Sequence, residues 1–234
     1  MKYAYAVKQG EYHKSNNEKC QDILAYNRRN SIFALCLCDG AGSKKYAYET
    51  ADIVSNYCAQ FLSTKDYLRE INGQELLEKL NGFINEYSCS RHMPLEEMGT
   101  TAIFFWCNDK EFYVGHIGDG AVFGVKDDYS YIISDEAKGE YMNETYLIPD
   151  IFSKQKIDEK KGMLDKLRGF VIATDGISGA LYGKGKEVFP ACLKFVKWLN
   201  EVGEEDMKMI LYDNIEQIFD KYNDDDKSIV VISL

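Results

Sequence analysis

The chain has 234 residues, 45% apolar and 13% aromatic, which supplies a sizeable core and excludes a disordered segment. Its net charge of −10, from 38 acidic against 28 basic residues, disfavours nucleic acid and anionic membrane surfaces as partners. Phosphates remain accessible to such a protein when divalent cations supply the positive charge locally.

No apolar run approaches the roughly 20 residues of a membrane-spanning helix. Met1 to Gly10 lacks the apolar core and cleavage site of a signal peptide, so a cytoplasmic protein is expected. The seven cysteines are odd in number, lie mostly in apolar runs and show no C-x-x-C spacing. They read as small core residues rather than zinc or redox ligands.

Tyr3 to Val7 alternates weakly and predicts an edge strand, and the polar stretch Gly10 to Lys19 predicts a connection. Asp22–Tyr26 and Ile32–Cys38, separated by the turn-forming Asn27–Asn30, predict a hairpin. Antiparallel pairing then brings Asp22 beside Asp39. Ser43 is a candidate N-cap for a helix to about Leu62, whose apolar positions Ala47, Ala51, Val54, Cys58 and Phe61 recur at helical spacing. Glu75–Tyr87 repeats that pattern. Thr100–Trp106, Phe112–Ile117 and Ala121–Val125 read as three strands of an antiparallel meander, followed by a short pair ending at Ser134.

Residues 137–167 are polar and irregular, and predict a surface insertion or flap. Phe170–Thr174 is a buried strand running into Asp175-Gly176, in the same pattern as Cys38-Asp39-Gly40. Helices are expected at Glu187–Asn200 and Glu204–Tyr222, and a last strand at Ser228–Leu234. Runs of antiparallel strands flanked by two helix pairs predict an α+β fold, a four-layer α-β-β-α sandwich. No repeat or linker interrupts it, so residues 1–234 are expected to form a single domain.

Four acidic residues share one context: Asp22 opens a strand, Asp39 and Asp175 end strands, and Asp225 precedes one. Carboxylates are hard oxygen ligands suited to Mg²⁺ or Mn²⁺. Gathered without cations they raise one another's pKa values, which metal binding relieves. Each alone has a plainer reading. Asp119-Gly120 serves equally as a hairpin turn, Asp39-Gly40 and Asp175-Gly176 as helix starts, and Asp224–Asp226 as a solvated loop.

Taken together these residues resemble the metal-dependent, type-2C serine/threonine protein phosphatases, particularly the bacterial branch. The matching pieces run in order: Gly10-x-x-His13 with Cys20-Gln21-Asp22, Cys38 to Ser43, Gly99-Thr100-Thr101 and Ile117-Gly118-Asp119-Gly120. Gly139 to Thr145, Ala173 to Ile177 and Asp225 to Ser228 complete the set. The resemblance implies that Asp39 bridges two Mg²⁺ or Mn²⁺ ions, helped by the Gly40 carbonyl, while Asp22 serves one of them. It implies that Asp175 and Asp225 hold the other ion, and Asp119 a weaker third. A water bridging the two ions is then the nucleophile on a phosphorylated protein, and a Ser/Thr kinase is the expected counterpart in signalling.

The chain also departs from that pattern. Gln21 stands where an acidic residue often precedes the Asp22 position, and Asp225-Asp226 where an Asp-Asn pair is usual. Ala41 replaces a histidine proposed as general acid in many eukaryotic members, and Gly179 an acidic ligand of some. The arginine that grips phosphate is missing, leaving His13 or Lys14 as its substitute, with His13 the candidate substrate-binding residue. Two competing readings follow: a catalytically weak pseudophosphatase that binds a phosphoprotein, and a small-nucleotide phosphohydrolase.

Overall fold

The computed structural model describes residues 1–135, 146–149 and 157–234. Backbone contacts gather the chain into two compact units, each assembled from separated segments. The first comprises Met1–Asp22, Gly120–Asp135 and Asp165–Leu234, and the second Ile23–Asp119 and Glu136–Leu164.

The first unit is built on a five-stranded antiparallel sheet. Its strands are β1 (Lys2–Lys8), β6 (Ala121–Val125), β7 (Ser130–Ser134), β9 (Gly169–Ala173) and β10 (Lys227–Ser233), in the order β1-β10-β9-β6-β7. Phe170 to Ala173 and Ile229 to Ile232 are buried without exception, which is why they read as unbroken apolar runs rather than alternating ones. Alternate residues, Val171 and Ala173 with Ile229 and Val231, share a core with helices α5 (Ala191–Val202) and α6 (Glu204–Gln217). Those helices contribute Phe195, Leu199, Met207, Leu211 and Ile215 at four-residue spacing. A five-residue helix, α1 (Glu11–Ser15), occupies the stretch expected to be a plain connection, and α4 (Asp175–Ser178) follows β9 directly.

The second unit carries the other five-stranded antiparallel sheet. It is made of β2 (Asp22–Arg29), β3 (Ile32–Asp39), β4 (Ala102–Cys107), β5 (Glu111–Ile117) and β8 (Asp158–Met163), in the order β2-β3-β4-β5-β8. The hairpin expected of β2 and β3 is present, with Asn30 at φ 55° in its turn. Ala34, Cys36, Phe104 and Trp106 pack with Val54, Cys58 and Leu62 of α2 (Ala47–Ser63) and with Leu76, Leu80 and Ile84 of α3 (Gly73–Arg91). Helix α3 is capped by Asn72, whose side chain accepts from the Glu75 N–H. Helix α2 begins three residues later than an N-cap at Ser43 suggested, with Tyr46 in the N-cap position. The Lys44 N–H turns back to the Ala41 carbonyl and the Tyr46 N–H is taken by Glu97, so the chain cannot coil until Ala47.

The α+β class with two antiparallel sheets, each bearing a helix pair, is thus as expected. Two details differ. The three-strand meander is broken, because β5 pairs with β4 and β8 while β6 pairs with β7 and β9. Gly118-Asp119-Gly120 is therefore a crossing from one sheet to the other, not a hairpin turn. Within the expected flap, residues 157–167 include strand β8, whose Glu159 side chain accepts from the Gly73 N–H. The remainder of that stretch, with the Gly139–Thr145 motif, lies largely outside the described residues. Among the described residues no helix is long and apolar enough to cross a membrane.

The crossing makes one glycine indispensable. Gly118 sits at φ +115°, where a Cβ would also collide with the Thr101 side chain. Gly118→Ala is expected to cost about 1–3 kcal/mol from backbone strain, measured as a lowered midpoint in urea. An unchanged midpoint would contradict this reading of the turn.

Candidate functional site

In the first unit, three chain segments meet around buried acid groups. Asp22 is 2% exposed, and the Thr174 hydroxyl donates to its Oδ2 at 2.8 Å. Thr174 is itself fixed by Ser228, donating its N–H to the Ser228 carbonyl and accepting the Ser228 N–H at Oγ1, both at 3.1 Å. Asp22 Oδ1 is equally buried and has no hydrogen-bond partner among the described residues. Burial raises the Asp22 pKa well above the ordinary carboxylate value. The Thr174 hydroxyl opposes that rise, while the charges of Asp226 and Asp175 add to it. Asp175 opens α4 directly after Thr174, half-buried, and faces Asp22 electrostatically.

The same unit holds the acidic turn. Asp225 is exposed, and its Oδ1 accepts the Asp226 N–H at 2.9 Å. Asp226, by contrast, is 2% exposed. It accepts from the Gly10 N–H at 2.7 Å, the Gln21 N–H at 2.5 Å and His13 Nδ1 at 2.9 Å. His13, the candidate substrate-binding residue, is 4% exposed in α1. Its Nε2 lies 3.7 Å from a Glu18 carboxylate oxygen.

The second unit presents Asp39 and Asp119. Asp39 is the last residue of β3, and its backbone is clamped to the start of β4. Its carbonyl accepts from the Thr101 N–H at 2.8 Å and the Thr100 hydroxyl at 2.9 Å, and its N–H reaches Thr101 Oγ1 at 3.2 Å. Gly40 continues the contact as a bridge to Thr100. Asp119 follows Gly118, and the two carboxylates, both half-buried, bring oxygens within 4.8 Å of each other.

These residues are all hard oxygen donors, and one of them is a buried carboxylate oxygen lacking a partner. That chemistry fits Mg²⁺ or Mn²⁺ better than a soft metal. A profile of the family described as Protein phosphatase 2C matches residues 9–214. The chain belongs to the protein phosphatase 2C family. Solved structures similar to this phosphatase 2C chain include a bacterial serine phosphatase, 14% identical with a TM-score of 0.74, covering 100% of this chain and 97% of that one. A serine/threonine phosphatase of S. agalactiae is 14% identical with a TM-score of 0.71, covering 100% and 99%. RsbX in complex with magnesium is 14% identical with a TM-score of 0.60, covering 99% and 94%. At such identities the likeness shows the fold. No curated protein matches the chain.

The phosphatase 2C motifs thus fall into two sets of side chains, Asp22, Asp175 and Asp225 in one unit, Asp39 and Asp119 in the other. Thr100, Thr101 and Thr174 lay inside the motifs the sequence showed, but no role was assigned to them there: Thr174 holds Asp22, and Thr100 and Thr101 hold Asp39. The burial of Asp226 was missed as well. Nothing in the run Asp224-Asp225-Asp226 says which of three like residues turns inward.

The raised Asp22 pKa has a consequence for metal-free protein. A carboxylate whose folded pKa exceeds its unfolded one favours the fold at pH below the ordinary carboxylate range. That contribution is lost as pH climbs through the raised value. Asp22→Asn removes the buried charge, so in EDTA at neutral pH it is expected to gain on the order of 1–2 kcal/mol. In a chain of this size that is about 2–8 °C in Tm. The gap over wild type should widen as pH rises above the ordinary carboxylate range, and a gap that stays flat would contradict the assigned cause.

Proposed function

We propose that this chain is a metal-dependent protein serine/threonine phosphatase, hydrolysing phosphomonoesters with two Mg²⁺ or Mn²⁺ ions. Residues 1–234 act together as one catalytic domain. Asp39 with the Gly40 carbonyl, Asp22, Asp175 and Asp225 would hold the two ions, and Asp119 would contribute to a weaker third. The observation that carries the reading is the desolvated Asp22, with one oxygen lacking a partner beside Asp175 and Asp226, in a chain of this family. A carboxylate held that way is poorly stable by itself and becomes favourable when a cation arrives.

The chemistry such ions would supply is a water of lowered pKa as nucleophile and neutralisation of charge on the phosphoryl oxygens. The protein's own part is positioning. Thr100 and Thr101 hold the Asp39 backbone, so its carboxylate is presented without reorganisation. Thr174 does the same for Asp22. Ala41 has no proton to give, so the departing serine or threonine oxygen takes its proton from solvent. The substrate is a phosphorylated protein, the counterpart a Ser/Thr kinase in a signalling pair, and the site of action the cytoplasm.

One observation favours a second reading, a weakly active phosphoprotein binder. His13, the candidate substitute for the missing phosphate-gripping arginine, has its ring buried against Asp226. A single assay separates the two: phosphate release from a phosphothreonine peptide and from p-nitrophenyl phosphate with Mn²⁺. The enzyme reading predicts turnover in wild type and a loss of at least about a thousandfold in Asp39→Asn, comparable to removing a principal electrostatic contributor. No turnover in wild type with either metal would favour the binder, and undiminished Asp39→Asn activity would refute the site.

A further inference from the structure

The acidic turn is held by two buried charges that the metal reading does not use. Lys227 follows it at 1% exposure, an unusual place for an ammonium group. Its Nζ donates to the Asn223 carbonyl at 2.9 Å and the Asp225 carbonyl at 2.8 Å, and lies 3.7 Å from Asp220 Oδ1. The ammonium thus draws residues 223–227 into a loop around itself, with the carbonyls inward and the Asp225 side chain outward.

Asp226 performs the complementary task. Its carboxylate collects the N–H groups of Gly10 and Gln21, the two ends of the stretch leading to Asp22, and the ring of His13 between them. The Tyr12 N–H donates to the Asp224 carbonyl at 3.0 Å, and the Asn223 side chain donates to the Gly176 carbonyl at 3.1 Å. A Cβ at Gly10 would collide with the Asp225 carbonyl, and one at Gly176 with the Asp226 carbonyl. Residues 10–22, 174–176 and 223–228 are therefore locked at backbone contact, with Asp22, Asp175 and Asp225 one on each.

We propose that Lys227 and Asp226 are positioning residues that fold this part of the site into its metal-receiving shape before any ion is bound, His13 bracing Asp226 rather than gripping phosphate. Each makes hydrogen bonds that a neutral isostere cannot complete. Methionine at 227 takes away the donor that the Asn223 and Asp225 carbonyls share. Asparagine at 226 presents an N–H₂ where the carboxylate now accepts. Ordering the loops in advance removes a cost that ion binding otherwise bears, so the brace is read out as metal affinity.

The inference rests on the metal-dependent reading above, and the test separates the two. Mn²⁺ binding to wild type, Lys227→Met and Asp226→Asn is measured by isothermal titration. Amide exchange of Gly10 and Gln21 is followed in EDTA. The expected result is at least a tenfold weaker Mn²⁺ Kd in each variant that folds, and faster exchange at both amides in Asp226→Asn. Phosphopeptide hydrolysis by Lys227→Met should need a correspondingly higher Mn²⁺ concentration for half-activation, with KM at saturating Mn²⁺ within twofold of wild type. A merely structural lysine would lower Tm and leave Kd and half-activation unmoved. That outcome, or a Kd within twofold of wild type in both variants, overturns the proposal alone. Absence of Mn²⁺ binding in wild type overturns the metal reading and the brace with it. If one variant does not fold, the other decides.

Discussion

The rest of the structure depends on keeping negative charges where water and one another make them unwelcome. Asp22 is stripped of solvent, feels Asp226 and Asp175, and is relieved by the neighbouring Thr174 hydroxyl. Asp39 and Asp119 have oxygens within 4.8 Å of each other, a repulsion of about 1–3 kcal/mol depending on how well water screens it. A fold that carries such pairs gives up stability, which the proposed cations would restore. The compensation is visible in the backbone: strand ends, a buried lysine and close glycine contacts hold the carriers, so the acids themselves need not be held by opposite charges.

Much of this was legible in the sequence, because strand ends and Asp-Gly steps are local signals. The β2–β3 hairpin announced itself through Asn27–Asn30, and the helices through apolar stripes such as Leu76, Leu80 and Ile84. Asp39 and Asp175 stood out because each ends a run that is apolar throughout. What escaped was decided by long-range pairing. The stretch around Asp119 has the composition of a hairpin turn, yet β6 finds its partners in β7 and β9, far along the chain. Strand β8 is largely exposed and polar, and its register against β5 leaves almost no hydrophobic trace in the sequence.

The acidic turn is the sharpest example for the site. Asp225 and Asp226 are chemically identical in sequence, but one is exposed and the other is buried under three donors. The choice is made by the N–H groups of Gly10 and Gln21, about two hundred residues earlier, which no local pattern reports. The burial of His13 escaped for the same reason. Its environment is created by the far end of the chain. Family membership supplied the order of the motifs, whereas the structure supplied which neighbour of each motif bears the load.

The account's central claim is that carboxylates dispersed from position 22 to position 225 serve a common pair of divalent ions. The most direct measurement is X-ray diffraction from crystals grown in Mn²⁺, with data collected at the manganese absorption edge. The account predicts two anomalous peaks, both touching Asp39, one of them also held by Asp175 and Asp225. Crystals soaked to saturation that show no peak at any of these carboxylates would contradict it.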